Sequence, residues 1–248
     1  MKKLILILFV CSISDVYSQQ PLELPALKPR EELVKHKFYS LAFVEGYELA
    51  SWVAYKLRGN QFSKTVTYKE KYEEDPLVST GSATKKDYKN AGFVLGQLVP
   101  VEDMLFSEEA ARETFYLSNI VPHKPAFNKY MWNKMADIIR AWAKECDTLY
   151  IVSGPVLADA PFPTFGEDKV SIPTRYYKVV LDLKGKRGVG FVVKSSMSNG
   201  SVKPLAMSID KVEEITGIDF FPALPDDIEN KIEAEYNPER WNFEILDQ

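Results

Sequence analysis

A chain of 248 residues with 46% hydrophobic content can bury one sizeable core, which excludes an intrinsically disordered protein and a collagen-like or low-complexity one. Its formal charge of −4 excludes the broad positive field by which many proteins adhere to nucleic acid, and leaves room only for a local basic groove.

The first twenty residues, MKKLILILFVCSISDVYSQQ, read as a secretory leader. Lys2 and Lys3 precede the apolar run 4–10, and Val16-Tyr17-Ser18 supplies a cleavage site ahead of Gln19. The apolar run is too short to span a bilayer. The expectation is a signal peptide over 1–18 and a secreted or periplasmic protein. Cys11 offers a second reading, a lipid-anchored one, but Val10 is a poor residue before a lipidated cysteine. Removing the leader with its two lysines and one aspartate moves the formal charge from −4 to −5. It also leaves Cys146 as the sole cysteine, so no intramolecular disulfide is available.

Residues 19–37 form an N-terminal arm, with Pro21, Pro25 and Pro29 in its first half and no periodicity. His36 lies in this arm and is expected at the surface. Two β-rich runs, 38–44 and 50–57, flank Glu45-Gly46 and predict an antiparallel pair. Gly59-Asn60 turns the chain, and 64–82 is polar and irregular. The basic cluster 82–90 reads as a solvated loop or as a rim contacting phosphate. A short strand is expected over 94–100. A brief helix follows over 107–113, with Ser107 as its N-cap and acids in its first turn. A returning strand is expected over 114–121.

The strongest helix signal runs over 127–144, where Phe127, Met131, Met135, Ile138 and Trp142 recur at spacings of three and four. Asn128, Trp132, Ala136 and Arg140 follow one another every four residues along one side. A buried strand is expected over 148–157. The runs 176–183 and 189–194 flank Lys184-Gly185-Lys186-Arg187-Gly188, a hairpin signal. A short strand over 206–209, a helix capped by Asp210 and a helix over 226–236 complete the chain. There is no repeat and no interior linker, so 38–248 is one domain. The fold class is α+β, a central mainly antiparallel sheet flanked by helices.

Residues 91–104 read A-G-F-V-L-G-Q-L-V-P-V-E-D-M, and 114–132 read T-F-Y-L-S-N-I-V-P-H-K-P-A-F-N-K-Y-M-W. This resembles the core of the DNA/RNA non-specific endonucleases, whose members carry G-Y-D-R-G-H-L-A-P-A-A-D-M and T-F-Y-L-S-N-I-S-P-Q-x-P-x-F-N-x-x-x-W-x-x-L-E. Further similar runs, around V-S-I-P-T-R-Y-Y-K-V-V-L and V-E-E-I-T-G-I-D-F-F-P, extend the likeness over 38–232. The resemblance implies a ββα-metal (His-Me) finger. It also implies a divalent metal, Mg2+ or Mn2+, and DNA or RNA as partner.

Carried over residue by residue, the chemistry is incomplete. Asn128 stands where the family has its metal-ligating Asn, Arg140 where it has a phosphate-facing Arg, and Asn119 where an Asn supports the site. Gln97 stands in place of the catalytic His, Ala136 in place of the helix Glu, and Val94 and Leu95 in place of the Asp-Arg pair. Glu70 holds the place of a second phosphate-facing Arg. A carboxamide has no pKa near working pH and cannot accept the proton of an attacking water. The family's Pro-Gln is here Pro122-His123, so His123 is a candidate relocated base, or else a structural loop histidine. Asn128 reads equally as a helix N-cap, Arg140 as a salt-bridging residue, and Cys146 as an inert core thiol. No Gly-rich phosphate loop, nucleophile elbow or Cys/His metal spacing is present. The expected function is therefore an exported endonuclease-like protein with a degenerate catalytic centre that retains nucleic-acid or metal binding. The alternatives are an active metal-dependent endonuclease using His123, and an interaction protein without phosphate chemistry.

Overall fold

A computed structural model describes residues 20–63 and 65–245. The leader and Cys11 lie outside the described residues. The strands are β1 (Glu32–Lys35), β2 (Tyr39–Val44), β3 (Leu49–Arg58), β4 (Val94–Gln97), β5 (Ile120–His123), β6 (Thr148–Pro155), β7 (Thr164–Phe165), β8 (Val170–Ser171), β9 (Arg175–Asp182), β10 (Arg187–Lys194) and β11 (Ala206–Met207). The helices are α1 (Glu108–Glu113), α2 (Pro125–Phe127), α3 (Asn133–Glu145), α4 (Ile209–Thr216) and α5 (Asp226–Ala234). Seven strands form one sheet in the order β1-β2-β3-β6-β9-β10-β11, antiparallel at every junction. β4 and β5 pair separately, as do β7 and β8.

The central strands read as nearly continuous apolar runs because both faces of the sheet are covered. Along β3, Val53, Tyr55 and Leu57 point into one core, and Trp52 and Ala54 into the other. β9 splits likewise, Tyr176 and Val180 to the first core, Tyr177, Val179 and Leu181 to the second. That is the period-two alternation of a strand buried on both sides. The first core takes Met135, Ile138 and Trp142 of α3, the three- and four-residue stripe read from the sequence. The second core takes Val212 of α4 and Ile232 of α5. The finger and the α4–α5 pair therefore lie on opposite faces.

Several expectations are corrected. The arm is not wholly irregular: Glu32–Lys35 becomes the edge strand β1, and Leu24 is buried in the second core. His36 is not a surface residue. Its side chain is 2% exposed, and its Nε2 meets the buried Asp75 carboxylate at 2.8 Å. The returning strand shrinks to Ile120–His123, because Leu117–Asn119 coils into a 3-10 turn. Ser208, not Asp210, caps α4, its hydroxyl accepting from the Lys211 N–H. Ser107 caps α1 as read, accepting from the Ala110 N–H. Among the described residues no helix is long and apolar enough to cross a membrane.

Candidate functional site: the β4–β5 finger and its helix

The finger is set by register. Val94 faces His123, Leu95 faces Pro122, Gly96 faces Val121 and Gln97 faces Ile120. Cross-strand partners share a face, so Val94, Gly96, Val121 and His123 line one side of the ribbon. Gly96 is required there for space. A Cβ added to it would lie 2.1 Å from Nδ1 of His123 and 2.4 Å from its Cγ. Gly96→Ala is accordingly expected to cost about 1–3 kcal/mol by overpacking. Truncating the ring in Gly96→Ala/His123→Ala should recover part of that cost, as measured by denaturant unfolding of the two single variants and the double.

His123 is fully buried. Its ring meets Phe127, Trp132 and Tyr176 edge to face, with centroids 4.9, 5.1 and 4.5 Å away. Nδ1 lies 2.9 Å from Oδ1 of Asn128. An amide oxygen only accepts, so Nδ1 carries the proton and donates. Nε2 is then the unprotonated nitrogen, and it is buried with no hydrogen-bond partner. Burial pulls the ring down to about 3, against the opposing pull of the Asn128 bond. At neutral pH it is an uncharged ring in an aromatic box.

Asn128 is not the cap of its helix. Lys124 holds that position, and Asn128 opens a π-helical turn, Asn128–Trp132, between α2 and α3. Such turns are uncommon insertions that re-aim the side chains around them. Here Trp132 donates its indole N–H to the carbonyl of Gln97 at 2.9 Å, locking helix to ribbon on the side the spacing predicted.

Gln97 itself is engaged at both ends. Its Nε2 donates to the Thr114 carbonyl and hydroxyl at 3.1 and 3.2 Å, and its Oε1 accepts from the Val101 N–H at 3.1 Å. Asn119 does the same work one layer deeper. Its Oδ1 accepts from the Val99 N–H, and its Nδ2 donates to the carbonyls of Val99 and Thr114. Together the two carboxamides hold the loop leaving β4 against the loop entering β5, satisfying backbone groups that no ladder reaches.

Arg140 is committed as well. Its Nε donates to Asp103 at 2.8 Å and its Nη1 to Asp137 at 2.7 Å, with Glu102 at 3.9 Å. The buried Asp103 also accepts from the Tyr55 hydroxyl at 2.8 Å. Burial pulls the Arg140 guanidinium down, and Asp103 beside it more than offsets this, so it stays charged. Sequence reasoning passed over Lys178, which is buried on the first-core face of β9. It donates to the Ser153 hydroxyl at 3.1 Å and lies 4.0 Å from the centroid of Trp132. Burial lowers it to about 7. The available signal was a lysine in phase with Tyr176 and Val180 inside an apolar run.

The chain matches the DNA/RNA non-specific endonuclease family over residues 26–227. It belongs to that family. Among family relatives it is 29% identical to nuclease EXOG, mitochondrial, of Danio rerio, covering 78% of this chain and 63% of that protein. It is 31% identical to the Xenopus laevis protein of the same name, covering 76% and 58%. With human endonuclease G, mitochondrial, the identity is 28%, covering 78% and 70%. The chain thus spans about three-fifths of the length of the EXOG proteins it matches. In fold it is similar to the EndoG/EndoGI complex structure, with a TM-score of 0.73 and 20% identity over 82% of this chain and 89% of that one.

The residues carried over for the family's divalent ion come to one amide oxygen, that of Asn128. Oδ1 of Asn128 accepts from His123 and keeps its second lone pair. Ala136, on α3, is buried and offers no ligand atom. Glu70 is exposed. Lys85, Lys86 and Lys89 of the 82–90 cluster are solvated. Cys146 is half-buried, its thiol facing Asp182 and Arg187, and burial pushes it up.

Proposed function

We propose that this family member is an exported endonuclease-like protein whose hydrolytic centre is degenerate. The observation that carries this reading is the state of Gln97. The side chain at the general-base position is a carboxamide with both of its polar ends spent on the fold. Three further features support it. His123, the one imidazole near the finger, is buried, uncharged and tied to Asn128, so it does not meet a substrate water as a general base must. Ala136 supplies no carboxylate. Arg140 is held by Asp103 and Asp137 rather than free for phosphate. Export rests on the leader read over 1–18. Affinity for DNA or RNA rests on the family frame.

The test is incubation of the mature protein with supercoiled plasmid and with RNA, in Mg2+, in Mn2+ and after chelation. The expected result is no cleavage above the chelated control. Metal-dependent cleavage that disappears in His123→Ala would overturn the reading in favour of a relocated base.

A further inference from the structure

On the face of the sheet opposite the finger, α4 and α5 bring carboxylates together. Asp210 and Glu213 are three residues apart on α4, and Glu229 and Glu233 four apart on α5, spacings that place each pair on one helix face. Oxygens of Asp210, Glu213 and Glu233 lie within 4.8 Å of one another. Glu233 is only 5% exposed, and its Oε1 is buried with no hydrogen-bond partner. Oε1 of Glu229 is likewise buried and unpartnered. One oxygen of Glu213 accepts from the Phe220 N–H at 2.7 Å, which fixes that carboxylate in place. Among the described residues no salt bridge reaches these four carboxylates; Lys211 of α4 pairs with Glu214 instead.

Such a grouping is costly without a counter-charge. The helices have nevertheless been seated close to the sheet. A Cβ on Gly188 would meet Ile209 and Ile232, and one on Gly190 would meet Val212. The fold thus drives the acidic faces of α4 and α5 together.

We propose that Asp210, Glu213 and Glu233 form a binding site for a hard divalent cation, calcium, that clamps α4 to α5 independently of the nuclease centre. The donor set is all oxygen. It lacks the imidazoles and thiolates that favour zinc or copper, and calcium accepts carboxylates in flexible arrangements where magnesium demands a strict octahedron.

The experiment is calorimetric titration of the metal-stripped full chain with CaCl2 and with MgCl2, paired with thermal unfolding. The expected result is one calcium per chain and a midpoint raised by roughly 5 °C or more at calcium about 100-fold above its Kd. Glu233→Gln should weaken calcium binding about tenfold or more. Its metal-free midpoint should be at or above that of the metal-free wild type, because the substitution keeps the shape and relieves the crowding of carboxylates. Asp210→Asn should weaken binding in the same direction. A wild type indifferent to both ions, or calcium binding of equal strength in Glu233→Gln, would overturn the proposal. The second outcome would place the ion elsewhere, at the finger included.

Discussion

Metal-dependent DNA cleavage is expected to appear in the variant Val94→Asp, Leu95→Arg, Gln97→His, Ala136→Glu, at a rate at least about 10²–10⁴-fold above the wild-type background. That range is the ordinary contribution of a positioned general base. The frame that must hold the new groups is intact. Trp132 fixes the helix to the Gln97 carbonyl, and Asn119 fixes the flanking loops. An imidazole at position 97 can give one ring N–H to the Thr114 carbonyl that Gln97 now uses, keeping the second nitrogen as the acceptor. The substitutions also carry a cost. Leu95 is partly buried against the core and Ala136 is buried, so charged side chains there lower stability. Gain of cleavage should therefore come with a reduced unfolding midpoint. Plasmid nicking at equal protein concentration, alongside circular-dichroism melts, checks both parts. A well-folded variant without cleavage would mean that more than these four positions has been lost.

The second large effect concerns Asp103. Asp103→Ala should cost about 3–5 kcal/mol, the penalty for leaving one partner of a buried ion pair without the other. Its carboxylate is shared between Arg140 and Tyr55. Removing it orphans a buried hydroxyl and leaves a guanidinium, 15% exposed, held by Asp137 and a more distant Glu102 alone. Arg140→Met in the same background should recover much of the loss, because the pair is then absent rather than broken. Urea unfolding of wild type, both single variants and the double gives the coupling directly. Additive losses would show that Arg140 is held mainly by Asp137 and is not part of a buried unit.

The fold was legible from residues because its signals are local and repeated. The β3 and β9 runs and the stripe on 127–144 each carry their own periodicity, and the hairpin at Lys184–Gly188 carries its turn chemistry. The site was legible as a set of positions but not as a set of bonds. Gln97, Asn119, Asn128 and Arg140 all sit in or beside the finger, yet what each does depends on partners far along the chain. Arg140 meets Asp103, 37 residues earlier, and His36 meets Asp75, 39 residues later. No pattern within a window of helix or strand length reports such pairings, which is why His36 read as a surface residue. His123 illustrates the same limit. A histidine after a proline at a strand end looks exposed, until Gly96, diagonal to it on the same face of the ribbon, makes room for the ring to lie inside. The cap of α4 was missed for a local reason: Ser208 and Asp210 are both good caps two residues apart, and the chain bends at the first.

The claim at the centre of this account is that the finger no longer hydrolyses phosphodiesters. Its most direct measurement is cleavage of an end-labelled duplex by the wild-type mature chain in excess over substrate, with Mg2+ or Mn2+ and with chelator, where slow turnover cannot hide. The account predicts the same background with and without metal. A metal-dependent rate abolished by His123→Ala, in a variant that still folds, would contradict it.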